Sequence, residues 1–158
     1  MSIEAKTVSQ SRSISTDIIL PGQTNYHGTV FGGTLLQSVD KVATIAAMRH
    51  SQRPVVTASS EAQFISPVGL GEAIELTASV IWTHRSSMEI QVTGIVEDLL
   101  TGLKKQAVIV FLTFVGLDDN HKPAQVPEVI PETDEEKRLF KLGESRYHER
   151  KLKRAAMQ

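Results

Sequence analysis

The stretch from Asn25 to Asp40 concentrates the residues of this chain that can do chemistry. It runs Asn25, Tyr26, His27, Gly28, Thr29, Val30, Phe31, Gly32, Gly33, and then into a helical pattern that carries Asp40. A carboxylate of ordinary acidity is ionised at neutral pH, so it can take a proton from water or attack a carbonyl directly. Paired glycines ahead of a helix expose free backbone N–H groups at the positive end of its dipole, and a ligand oxygen can approach them closely. Gly32 and Gly33 therefore suit a developing oxyanion. Each element also has an ordinary reading. Gly32-Gly33 can be a plain turn, Asn25 a turn residue, His27 a structural hydrogen-bonding histidine, and Asp40 a boundary acid paired with Lys41 or Arg49.

Other chemistries find little support. No G-x-S-x-G, Walker or G-x-G-x-x-G pattern occurs, and the Gly-rich loop ends in Thr34 without a lysine. The five histidines (His27, His50, His84, His121, His148) lack metal-site spacing, and there is no cysteine. We therefore expect no metal site. With 17 basic and 18 acidic residues, the chain has no global field for nucleic acid or an anionic membrane. The N-terminus is polar and lacks a signal-peptide core, and the longest apolar run, Ala107–Val115, is strand-sized. A soluble, cytoplasmic protein is expected, with neither nucleic acid nor membrane as partner.

The elements that must position these residues follow from period. Ser11–Leu20 reads as a strand closed by Pro21-Gly22. From Thr34 to about His50, Leu35, Leu36, Val39, Val42, Ala43, Ala46 and Ala47 form one apolar stripe at 3.6-residue period. Asp40 is the only acid in that helix and lies at the margin of the stripe, about two turns from the helix start. Val55–Ile65, Ala73–Thr83, Met88–Glu97 and Lys104–Val115 read as strands. In Ala73–Thr83, Ile74, Leu76, Ala78, Val80 and Trp82 are expected on one face. The last strand is apolar on both faces, so both need cover, the second from the tail or from another protomer. Glu132–Gln158 reads as a charged helix, acidic early and basic late. One long helix against an antiparallel sheet makes the chain α+β.

Two basic segments can meet a phosphorylated ligand. One is Arg85-Ser86-Ser87 at a strand turn. The other is the tail set Arg146, Arg150, Lys151, Lys153 and Arg154, where solvated charge is the simpler explanation.

The run Asn25-x-His27-Gly28-Thr29-Val30-Phe31-Gly32-Gly33-x-Leu35-Leu36-x-x-x-Asp40 resembles the signature of hotdog-fold acyl-CoA thioesterases of the cytosolic acyl-CoA hydrolase group. The resemblance continues through Val56-Thr57-Ala58-Ser59, Phe64-x-x-Pro67-Val68-x-x-Gly71, Arg85-Ser86-Ser87-Met88-Glu89, Thr113-Phe114-Val115 and Val126-Pro127. It implies a hotdog fold over residues 1–127, followed by a proline-punctuated linker and charged helix over 128–158. It further implies a homo-oligomer, dimer or trimer of dimers, hydrolysing acyl-CoA to free acid and CoA. Asp40 would be general base or nucleophile, with Asn25 supplied by the neighbouring protomer and the thioester carbonyl polarised around Gly32-Gly33. His27, Thr57, Arg85, Ser86 and Ser87 would line the substrate. CoA would be substrate and product, and no cofactor is implied. His84 replaces a glycine common in relatives, and Ser60-Glu61 stands where an aspartate is frequent.

Two rival readings use the same frame. A non-catalytic acyl-CoA-binding regulatory module would lack the Asn25/Asp40 pair or carry a DNA-binding extension. A dehydratase would need a histidine working with an acid, for which only His27 is available.

Overall fold

The alternation along Ala73–Glu97 becomes a long antiparallel hairpin at the centre of a five-stranded sheet. A computed structural model describes residues 3–158. In chain order the elements are β1 (Lys6–Thr7), α1 (Val8–Ser11), β2 (Ser13–Ile18), α2 (Gly32–Ser51), β3 (Val55–Phe64), β4 (Ala73–His84), β5 (Ser87–Glu97), β6 (Lys104–Gly116), β7 (Val129–Ile130) and α3 (Asp134–Ala156). The antiparallel sheet has the order β2-β4-β5-β6-β3. β1 and β7 form a separate parallel pair, Lys6 beside Val129 and Thr7 beside Ile130.

One face of the sheet wraps α2. The helical stripe buries Leu35, Val39, Val42, Ala43, Ala46 and Ala47. They pack against Ile74, Leu76, Ala78 and Val80 of β4, Met88, Ile90 and Val92 of β5, and Val108, Val110, Leu112 and Phe114 of β6. Alanines along the stripe let the helix lie close to the strands. The helix begins two residues earlier than its apolar period suggests, so Gly32 and Gly33 are its first two residues rather than part of the loop. It ends at Gln52 in the left-handed region, φ 53°.

The opposite face carries α3. Its start is a capping box: the Thr133 hydroxyl accepts from the Glu136 N–H at 3.1 Å, and Glu136 Oε1 accepts from Thr133 N–H. Ile81, Trp82 and Leu139 form a second apolar cluster under this helix, joined by Phe111, Phe140 and Tyr147. A bulge between Val80 and Trp82 puts Trp82 here, not on the α2 face where unbroken alternation places it. At Gly143 the helix touches the sheet: a Cβ there would sit 2.8 Å from Trp82 Cβ. The outer side of Phe111 on β6 is thus covered by the chain's own tail. The two-sided strand therefore does not by itself demand a second protomer.

The first strand is shorter than its pattern, because α1 occupies Val8–Ser11. No helix of the described residues is long and apolar enough to cross a membrane.

Candidate active site

Asp40 sits half-buried on α2, and its Oδ1 accepts a hydrogen bond from the Thr57 hydroxyl of β3 at 2.9 Å. It does not pair with Arg49, whose guanidinium donates instead to the Arg12 carbonyl and the Ser13 hydroxyl, both at 3.0 Å. Thr57 reaches Asp40 because β3 carries a bulge between Thr57 and Ser59. Residues two apart on a regular strand face the same way. Here Thr57 pairs with Phe114, which is packed against α2, while Ser59 pairs with Thr113, which faces α3. The extra residue, Ala58, rotates Thr57 onto the helix face.

The helix start is open. Its N-cap is Phe31, and no side chain caps it. A Cβ added at Gly33 would meet nothing within 4 Å, while Gly32 lies against the Phe64 ring. Backbone donors at such an end suit an anionic or polarised oxygen. Beside it opens a mostly apolar cavity of about 370 Å³, with Gly32, Leu35, Phe64, Ile65, Pro67 and Val68 in its lining. Phe64 and Ile65 are half-exposed there.

Asn25 folds its loop around itself. Its Oδ1 accepts from the N–H groups of His27 at 2.9 Å and Thr29 at 3.3 Å, and its Nδ2 donates to the Thr29 hydroxyl at 3.1 Å. Its acceptor is committed, while the amide nitrogen keeps a second hydrogen. The loop is pinned to the following segment by Val30 N–H to Val68 O and Leu70 N–H to Gly28 O. His27 is exposed in the turn, its ring 3.8 Å from that of Tyr26. Within one protomer the structure joins Asp40 to Thr57, and it holds Asn25 and His27 in a separate loop.

Arg85 is exposed at the β4–β5 turn with φ 49°. Its carbonyl accepts from Val126 N–H and that of Ser86 from Gly116 N–H, both at 2.8 Å, so the turn is held by its backbone and the guanidinium is left in solvent. Ser87 Oγ donates to the His84 carbonyl at 3.0 Å. Thr57, Phe114, Met88 and Thr83 share one cross-strand row, so the Arg85 turn and Thr57 lie toward the same end of the sheet. Of the tail cations, Arg150 pairs with the buried Glu89 and Arg146 with Glu61; both are spoken for. Sequence reasoning gave Glu89 and Thr113 no role of their own and missed the bulge, since their pairing is long-range; a glutamate within a half-buried strand was the one local signal.

A single α2 helix enclosed by an antiparallel sheet, with an acid on the helix and an open glycine start, is the hotdog thioesterase arrangement, and the chain belongs to the thioesterase superfamily, whose pattern matches residues 27–102. It is 42% identical over 149 residues, covering 94% of this chain and 87% of the other, to the uncharacterised acyl-CoA thioester hydrolase YkhA of Bacillus subtilis. It is 36% identical over 154 residues to the cytosolic acyl coenzyme A thioester hydrolase of Rattus norvegicus, covering 96% of this chain but only 40% of the rat protein's length. The crystal structure of an acyl-CoA hydrolase from Bacillus cereus superposes with TM-score 0.94 at 39% identity, covering 98% and 94% of the two chains. An acyl-CoA hydrolase from Staphylococcus aureus, solved with butyryl coenzyme A and coenzyme A, superposes with TM-score 0.91 at 37% identity, covering 97% and 94%.

Proposed function

We propose that this chain is an acyl-CoA thioester hydrolase, with Asp40 as its general base or nucleophile. One observation carries the reading: an aspartate held by the Thr57 hydroxyl on a helix whose uncapped glycine start borders an apolar cavity. The acyl chain enters the cavity and its carbonyl oxygen points at the N–H groups of Gly32 and Gly33. Asp40 then takes a proton from water, whose oxygen adds to the carbonyl carbon. The C–S bond breaks and CoA leaves as a thiolate that takes up the proton. Direct attack by Asp40, with hydrolysis of the resulting anhydride, uses the same geometry. The thiolate is a good leaving group, and neither route calls for a metal or cofactor.

Asn25 completes the site from the neighbouring protomer, its free amide hydrogen turned to the substrate carbonyl. A partner protomer would join along β3, an outer strand whose apolar Val56 and Phe64 are half-exposed. A hexameric acyl-CoA thioesterase superposes on this chain with TM-score 0.93, in keeping with a dimer or trimer of dimers. The Staphylococcus aureus enzyme has been studied with alanine in place of one asparagine, one aspartate and one threonine, at the same sequence intervals as Asn25, Asp40 and Thr57. Arg85, Ser86 and Ser87 meet the CoA phosphates, His27 borders the entrance, and the protein works in the cytoplasm. The test is thiol release from acyl-CoA esters of graded chain length by the purified protein. Release over the uncatalysed rate is expected; tight acyl-CoA binding without release would favour the regulatory-module reading.

A further inference from the structure

The α3 face of the sheet holds a buried polar cluster that the hydrolytic reading does not use. Glu89 of β5 is 5% exposed, on the strand face it shares with Gln91 and Thr93. A carboxylate buried there is costly unless its oxygens are satisfied. Both are: Oε2 accepts from the Thr113 hydroxyl of β6, and Oε1 accepts from Arg150 Nη1 of α3, each at 2.5 Å. Thr113 is 4% exposed and is the cross-strand partner of Ser59. Four residues before Arg150, Arg146 pairs with Glu61 of β3 and lies over the Phe111 ring, 4.1 Å from its centroid.

Of these contacts Arg146–Glu61 touches β3 directly, and Thr113 meets it through its pairing with Ser59; both lie on one side of the bulge. Ser59 and Glu61 face α3; Ala58 is the extra residue; Thr57, on the far side, faces Asp40. Within one protomer β3 is an outer strand with no fully buried residue, so its own side-chain packing does little to fix the phase of the bulge. Were the bulge to relax, regular alternation would carry Thr57 to the α3 side and free the Asp40 carboxylate to rotate. We infer that α3 is a positioning element for hydrolysis: the Arg150–Glu89–Thr113 and Arg146–Glu61 contacts hold the β3 bulge in the phase that presents Thr57 to Asp40. The inference rests on the proposed role of Asp40 and extends it to residues on the opposite face of the sheet. None of these five residues lines the cavity beside the start of α2.

The experiment is a double-mutant cycle read in kcat and KM. Thr113→Val removes the hydroxyl while Glu89 keeps Arg150, and Arg150→Met/Glu89→Gln removes the ion pair without leaving a lone buried charge. Each should lower kcat by about tenfold or more, the scale of a misplaced catalytic group, with KM for acyl-CoA changed less than about twofold. Thr113→Ser should restore kcat. In a Thr57→Ala background, which lowers kcat by itself, neither change should cost a further factor. Losses that multiply in that background, or that fall on KM alone, would overturn the inference while leaving Asp40 and Thr57 as proposed. Unchanged kcat in folded Thr113→Val and Arg150→Met/Glu89→Gln proteins would overturn it equally. Wild-type kcat in Thr57→Ala itself would remove the Thr57–Asp40 contact from the mechanism, and this inference with it.

Discussion

The two long helices lie on opposite faces of one sheet and are held by different forces. α2 is clamped by apolar packing: Leu35, Val39, Val42, Ala43, Ala46 and Ala47 are buried, and its one acid, Asp40, lies half-buried at the margin. α3 is a charged helix whose fully buried contacts reduce to Glu136, Leu139 and Gly143, with ion pairs to Glu61 and Glu89 supplying much of the rest. Apolar packing is not screened by salt, whereas partly exposed ion pairs are. Asp40, the proposed reacting carboxylate, is thus mounted on the helix held by apolar packing, and the strand carrying its hydroxyl partner is tied to the helix held by ion pairs.

Damage to α2 should have the largest effect. Ala46 is 0% exposed at the centre of the core. Ala46→Leu would force methyl groups into closed packing and cost about 1–3 kcal/mol, lowering the midpoint of a single cooperative unfolding transition in urea. Separate transitions for the two helices would contradict the view of α2 as the core of one unit.

Gly143→Ala should have a smaller and more local effect. Its added Cβ would need to displace Trp82, so α3 should lift from the sheet while α2 stays in place. Hydrogen exchange would then rise along α3 and not along α2. Equal protection of both helices in the variant would show that α3 is fixed by its ion pairs alone.

His50 sharpens the contrast at the far end of α2. Its ring is fully buried, Nε2 donates to the Pro127 carbonyl at 2.7 Å, and Nδ1 has no partner among the described residues. Burial holds its pKa below the usual histidine value, with nearby Lys6 pushing the same way against the Pro127 bond. A depressed pKa means that the unfolded chain binds the proton more readily. The stabilising difference is therefore present above the ordinary histidine pKa of about 6.5 and is lost as pH falls below it. His50→Gln keeps a donor for Pro127 and should flatten the pH dependence of stability on the acid side of that value. An unchanged slope would assign the acid sensitivity to carboxylates instead.

The smallest effect is expected at Arg85. Its positive φ is already adopted by a non-glycine residue, so Arg85→Gln adds no new backbone strain. It should raise KM for acyl-CoA several-fold while leaving hydrolysis of a short thioester without the nucleotide unchanged. Equal losses on both substrates would make Arg85 a holder of the turn.

Local periodicity made most of this molecule legible. The α2 stripe, the β4–β5 alternation and the doubly apolar β6 each appear within a residue or two of their predicted bounds, because burial on one side imposes its period directly. Asp40 stood out as the one acid on a buried helix. What stayed hidden depends on partners distant in sequence. The two-residue strands β1 and β7 have no period to read, and Lys6 meets Val129 only in the folded chain. The β3 bulge is silent in Val-Val-Thr-Ala-Ser-Ser-Glu, which has no apolar alternation to interrupt. Arg146 and Arg150 read as solvated charge because nothing local shows Glu61 and Glu89 waiting across the sheet.

The central claim is that Asp40 performs the hydrolysis, and thiol release by Asp40→Asn tests it most directly. The substitution keeps shape and an oxygen for the Thr57 hydroxyl, so fold and CoA binding should survive. Turnover should fall by at least about 10²-fold, the lower end of what a positioned base contributes. A well-folded Asp40→Asn protein that binds CoA and releases thiol at the wild-type rate would contradict the account.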